Sequence, residues 1–159
     1  MILATLCYIR HDGHTLMLHR VKRTDDIHAG KWNGLGGKFE PGESPEDCVA
    51  REVCKESGLT IENPRLRGLL IFPGFKGDDW YVLVFSATDF DGELIGNGEG
   101  YLKWIPDEEL ESLPLWPSDH IFFQWLRGEK ISSEKFTYEG EEMKGWEVNS
   151  IEEAFYLAL

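Results

Sequence analysis

Short apolar runs and stretches of helical period alternate along the chain, and glycine or proline marks most of the junctions. Residues 2–9 and 14–20 are apolar-rich and flank His11-Asp12-Gly13, a pattern that predicts two strands joined as a hairpin. Residues 44–58 change period: Val49, Ala50, Val53 and Ser57 form a narrow small-and-apolar stripe at helical spacing. Ser44 is a good N-cap, Pro45 suits the first helical position, Glu46 and Asp47 place negative charge in the first turn, and Gly58 suits a left-handed end. Ser44 with Asp47 approximates a capping box.

Farther along, residues 65–72 and 80–87 read as strands, with Pro73-Gly74 and Gly77-Asp78 breaking the chain between them. A polar loop over 89–100 precedes a strand at 101–105. Residues 106–113 suggest a short helix, and 118–127, with Ile121, Phe122, Trp125 and Leu126, a longer one capped by Ser118 or Asp119 and stopped by Gly128. The spacing then predicts a last hairpin from 130–138 and 143–148, and a terminal helical turn over 150–159. Strands and helices alternating around a mixed sheet define an α/β class, and 1–159 is expected to form one domain.

The chemistry concentrates at the 44–58 helix and the loop before it. Glu52 and Glu56 are four apart, which stacks their carboxylates on one helix face with Lys55 beside them. Such spacing is common on solvated acidic faces. Here, however, glycines at 34, 36, 37 and 42 let backbone approach a ligand closely, and an oxygen-rich cluster beside such a loop suits a hard cation, Mg²⁺ or Mn²⁺, shared with phosphates. Arg20, Lys22, Arg23 and Lys31 form a local basic cluster leading into the loop, and one or two of them, Arg23 among the candidates, are expected to meet a triphosphate.

A net charge of −13 argues against binding a nucleic-acid polymer or an anionic membrane surface, while leaving a nucleotide with its metal as a local ligand. Cys7, Cys48 and Cys54 follow no zinc or redox spacing and read as reduced thiols of a cytoplasmic protein. No apolar run reaches membrane-spanning length. The five histidines are scattered and read as structural or solvated.

Gly37, five residues, Glu43, seven residues, and then Arg51-Glu52-Val53-Cys54-Lys55-Glu56-Ser57-Gly58-Leu59 resembles the Nudix box at every defined position except Lys55, where the pattern has glutamate. Trp32 to Lys38 ahead of this box (37–59) and Trp116-Pro117-Ser118-Asp119 downstream look like the oxidised-purine nucleoside triphosphate hydrolases, the 8-oxo-dGTP diphosphatases related to MutT. The resemblance implies a Nudix α/β/α sandwich with a mixed β-sheet, and a metal held by Glu52, Glu56, the Gly36 carbonyl and Glu99, the last doubling as a candidate base. It implies that Gly37, Glu43, Arg51 and Gly58 frame the site, and that Lys38 meets a phosphate. It also implies that Asn33, Trp116, Ser118 and Asp119 surround a purine. The subgroup carries an acid where this chain has Ser118. Without that neighbour to repel it, Asp119 is expected to stay ionised at neutral pH and to favour guanine-type edges.

The implied reaction converts 8-oxo-dGTP and water to the monophosphate and pyrophosphate, a sanitation of the nucleotide pool by a monomer or homodimer. Two other readings stay open: a Nudix hydrolase of ADP-ribose or a diadenosine polyphosphate, and a non-catalytic nucleotide-sensing module.

Overall fold

The computed structural model describes residues 1–20, 30–95 and 100–151. The chain order is β1 (Ile2–His11), β2 (His14–Arg20), β3 (Trp32–Asn33), β4 (Leu35–Lys38), α1 (Pro45–Ser57), β5 (Thr60–Glu62), β6 (Arg65–Phe75), β7 (Asp78–Ala87), β8 (Asp89–Asp91) and β9 (Gly100–Pro106). A 3-10 stretch, Asp107–Ser112, leads on to α2 (Pro117–Leu126), β10 (Ile131–Glu139) and β11 (Glu142–Ile151). Among the described residues, nine strands form one mixed sheet in the order β11-β10-β6-β7-β1-β2-β3, with β4 also on β1 and β9 also on β2. β1 runs parallel to β7, and β6 parallel to β10. The remaining pairs in this sheet are antiparallel.

β1 is buried along both faces, which is why its apolar run is nearly continuous. Its alternate residues part company: Cys7 and Ile9 join Leu16, Leu18 and Leu35 under the Val49-Val53 stripe of α1. Tyr8 joins Met17, Leu70 and Phe136 under Phe122, Phe123 and Leu126 of α2. The sheet therefore separates two cores, each closed by one helix, and the architecture is the expected α/β/α sandwich. Each fully buried aromatic contributes on the order of 2–3 kcal/mol of apolar burial, so the placement of both helices is strongly determined.

α1 follows its local signals. Ser44 Oγ accepts from Asp47 N at 3.0 Å, Asp47 Oδ2 accepts from Ser44 N at 3.1 Å, and Gly58 closes the helix at φ +80°.

Elsewhere the structure corrects the reading. β6 passes through Pro73-Gly74 to Phe75 instead of ending at 72, because the proline falls where the β6–β7 register shifts and needs no ladder donor. The turn into β7 is Lys76-Gly77, both at positive φ as a two-residue hairpin requires. α2 begins one residue early: Pro117 takes the first helical position, Trp116 is the N-cap, and neither Ser118 nor Asp119 caps in the usual sense. The 3-10 stretch replaces the helix expected over 106–113. Ser150 and Ile151 continue β11 opposite Ser132 and Ile131 rather than starting a helical turn, and 152–159 lie outside the described residues.

β10 buries Ser132, Glu134 and Phe136 in alternation. Glu134 is 0% exposed and, among the described residues, neither carboxyl oxygen has a hydrogen-bond partner; burial pushes its pKa up to about 7.

Candidate functional site

β4 lies antiparallel to β1 with Gly36 opposite Leu6 and Gly37 opposite Thr5, which brings the glycine loop against the first turns of α1. The fit excludes side chains: a Cβ on Gly36 would stand 1.9 Å from Thr5 O, and one on Gly37 2.4 Å from Glu52 Cδ. Glu56 Oε1 accepts from Gly36 N at 2.7 Å. Glu52 Oε1 accepts from Arg51 Nη1 at 2.6 Å. Arg51 reaches back across the loop, donating from Nε to Glu43 Oε1, and from Nη2 to Glu43 Oε2 at 3.2 Å and to Lys38 O at 3.0 Å. Those bonds hold the Glu43 carboxyl below its usual range and the guanidinium above its own. Gly37, Glu43 and Arg51 thus sit at the joints between loop and helix, whereas Gly58 closes α1 at its other end.

Glu52 and Glu56 are only 7% and 6% exposed, one turn apart, and turned towards a backbone that has no side chains of its own. Two nearly buried carboxylates need a compensating charge, and oxygen donors beside bare backbone fit a hard divalent cation. Among the described residues no third Asp, Glu, His or Cys completes a cluster with them. Glu99, expected as the further acid, lies outside the described residues, as does Arg23.

A cavity of about 200 Å³ runs from Gly36 and Gly37 to the start of α2. It gathers Asn33, Trp116, Ser118 and Asp119, which the chain separates by more than eighty positions, onto one lining. Arg20 lines it as well. Lys38 does not: its ammonium sits 5.4 Å above the Trp80 ring, itself part of the wall. Asn33 Nδ2 is buried without a hydrogen-bond partner among the described residues. Trp116 is held edge-on by Phe75 at 5.4 Å and Tyr138 at 5.5 Å, with the Lys31 ammonium 4.5 Å over its ring. Lys31 also pairs with Glu141 in the β10–β11 turn. Ser118 is 2% exposed, and both its N–H and its Oγ are bonded to the Tyr138 hydroxyl.

Asp119 Oδ2 accepts from Trp116 N at 3.2 Å, the reciprocal half of a capping box; the indole, a donor only, cannot supply the other half. By area Asp119 is half-buried, yet protein surrounds its carboxyl densely, and desolvation pushes its pKa up to about 7 against the lowering effect of the Trp116 bond. The expectation that Asp119 is simply ionised at neutral pH is therefore corrected. Removing a neighbouring acid removes repulsion, but burial alone raises the proton affinity.

Phe72, Trp80 and Tyr138, which the sequence places only in strands, and Phe75, which it places in the break between two of them, also line the cavity. Alternation on β10, where Ser132, Glu134, Phe136 and Tyr138 share a face, is the one local signal that groups Tyr138 with buried positions.

The family model described as the NUDIX domain matches residues 2–126. An uncharacterized Nudix hydrolase of Bacillus subtilis, YvcI, is 34% identical over 140 residues, spanning 84% of this chain and 85% of its own length. The oxidized purine nucleoside triphosphate hydrolase of Danio rerio is 31% identical over 117 residues, 72% of this chain and 74% of that one. The crystal structure of a mutator MutT protein from Bacillus halodurans superposes with a TM-score of 0.84 at 28% identity, covering 94% of this chain and 98% of its own. No described helix is long and apolar enough to cross a membrane.

Proposed function

This chain belongs to the NUDIX family, and from that premise we propose that it is a metal-dependent pyrophosphohydrolase of oxidised purine nucleoside triphosphates, 8-oxo-dGTP foremost. The products are the nucleoside monophosphate and pyrophosphate, and the role is clearance of damaged nucleotides. One observation carries the reading: a single cavity connects the Gly36-Gly37 loop, against which Glu52 and Glu56 of α1 pack from outside the lining, with Asn33 and Asp119, whose polar groups suit a base edge. The Danio rerio relative bears the name of an enzyme acting on oxidised purine nucleoside triphosphates, and similarity to it supports this substrate class.

Glu52 and Glu56, with Glu99 as the further acid, would hold a divalent cation, which would supply charge neutralisation for the phosphate chain and a more acidic water. The chain supplies the rest. Gly36 and Gly37, bare of side chains, let β4 pack directly against Thr5 of β1 and Glu52 of α1, and Arg51 anchors Glu52 and the loop as one rigid piece. Lys38 at the rim and Arg20 in the wall, together with Arg23, provide positive charge for the phosphates. Trp116, fixed by Phe75 and Tyr138, is a flat apolar wall for the purine, Asn33 donates to a base acceptor, and Asp119 and Ser118 read the remaining edge.

Product formation resolved by chromatography over 8-oxo-dGTP, 2-hydroxy-dATP, dGTP, dCTP, ADP-ribose and diadenosine tetraphosphate, with Mg²⁺ or Mn²⁺, tests the proposal. The expected result is a highest kcat/KM for 8-oxo-dGTP and no turnover after chelation. Preference for ADP-ribose or the dinucleotide, or turnover of nothing, overturns it.

A further inference from the structure

We propose that Tyr138 is a positioning residue for base selection: through its one hydroxyl it fixes Ser118 as a hydrogen-bond donor into the cavity, so that the site selects bases carrying a ring carbonyl beside a ring N–H. This deepens the reading that the cavity holds a purine and rests on it.

The hydrogen-bond accounting around Ser118 leads there. Its N–H donates to Tyr138 Oη at 2.9 Å, which occupies the phenol as an acceptor. The phenol in turn donates its proton to Ser118 Oγ at 2.8 Å. A free serine hydroxyl rotates between giving and accepting, and a pocket edged by one would tolerate either kind of base. Here Oγ already accepts from Tyr138, and its own proton has no protein acceptor among the described residues. Ser118 is 2% exposed and lines the cavity, so that proton is available to a ligand there. Next along the chain Asp119 lines the same wall and, in its ionised form, offers carboxylate oxygens. A donor beside an acceptor matches the C6 carbonyl and N1–H of guanine or hypoxanthine; in the same orientation adenine sets an amino group against the donor and a bare ring nitrogen against the acceptor, and mismatches both.

Tyr138 is itself firmly placed. It comes from β10, beyond residues 2–126 that the family model matches, and its ring is edge-on to Trp116 at 5.5 Å and to Phe75 at 5.7 Å. The Lys31–Glu141 ion pair ties the turn that follows it to the chain leading into β3. The C-terminal hairpin thus forms one wall of the pocket and sets the polarity of a residue on the opposite helix.

Deoxyinosine and deoxyadenosine monophosphates differ only at this edge, and their dissociation constants, measured with Mg²⁺ on the full chain, test the proposal. Wild type is expected to prefer dIMP by about tenfold or more, the worth of one to two well-placed hydrogen bonds. Tyr138→Phe and Ser118→Ala should each bring the preference to within about threefold of parity, and the double variant should lose no more than either single one. Losses that multiply in the double variant, or a preference unchanged by Tyr138→Phe, overturn the positioning role. Should Tyr138→Phe fail to fold, Ser118→Ala alone decides, an unchanged preference counting against the proposal. A wild type that binds neither nucleotide overturns the nucleotide reading along with it, whereas equal binding of both overturns only the inference about Tyr138.

Discussion

Asp47 and Asp119 make the same bond, each at the third position of its helix and each accepting from the N–H of the N-cap, yet the two have different surroundings. Asp47 is exposed at the start of α1, where its carboxylate completes a capping box with Ser44. Asp119 starts α2 inside a cavity wall, under a tryptophan that cannot reciprocate, and burial holds its pKa near 7. One local device thus serves a helix end in one place and a ligand edge in the other, and what separates them is the packing around the carboxyl. Glu134 completes the series as an acid with no exposed surface, pushed to about 7 for the same reason, but outside the cavity lining and with no hydrogen-bond partner among the described residues.

The largest effect separates metal binding from base selection. Glu56→Gln keeps the shape and the bond to Gly36 N but removes a metal-binding charge; we expect kcat to fall at least about 100-fold with base preference unchanged. Hydrolysis at the wild-type rate would move the metal site elsewhere.

Glu134 gives the next largest effect, on stability alone. Its folded pKa, about 7, lies above the ordinary value of 4.5, so between those values the folded state keeps a proton that the unfolded state has lost. Stability from this group therefore falls as pH rises from about 4.5 to 7 and stays low above. Glu134→Gln should remove that slope and raise stability at pH 8 by about 2 kcal/mol relative to wild type, while changing little at pH 4. Parallel melting curves of both proteins across the range would contradict the burial.

Asp119 has the same sign in stability, but its titration is also open to a ligand. Ionised Asp119 accepts from a purine N1–H, and protonated Asp119 donates to a bare N1, so guanine-type preference should rise with pH through about 7. Asp119→Asn should flatten that profile and shift the ratio of kcat/KM for 8-oxo-dGTP over 2-hydroxy-dATP by about tenfold. Asp47→Ala is the matching control: a loss of about 0.5–1 kcal/mol in stability with the ratio untouched. A pH-independent ratio in wild type would reduce Asp119 to a second Asp47.

These acids also mark what can be read without a structure. α1, its cap, its box and its Gly58 end are written in adjacent residues, and the glycines of β4 announce a close approach that the Thr5 and Glu52 contacts then explain. The two cores follow from the alternation of β1, although which face meets which helix does not. Tyr138 reaches Ser118 only because β10 pairs parallel with β6, a register that no local pattern encodes. The proton on Asp119 could not be read for a related reason: adjacent charges are visible in a sequence, whereas desolvation depends on what packs around the carboxyl.

Lys55 should give the smallest effect. It stands where the Nudix pattern has glutamate, is exposed on the last turn of α1, and lies one helical step from Glu52 and next in chain to Glu56. A cation there opposes metal binding, but an exposed charge is screened by water and salt, and interactions of this kind amount to roughly 0.2–1 kcal/mol. Lys55→Glu is accordingly expected to raise the affinity for free Mn²⁺ about two- to fivefold at low ionic strength, with the gain fading at high salt. The same change puts a negative charge at the negative end of the helix dipole and should lower stability by about 0.3–1 kcal/mol, so metal titration and melting should move in opposite directions. An unchanged titration at low salt would mean that Lys55 lies too far from the metal to matter. A gain well above tenfold that survives high salt would mean the opposite: the new carboxylate has become a ligand, and Lys55 stands in a metal position that this chain has given up.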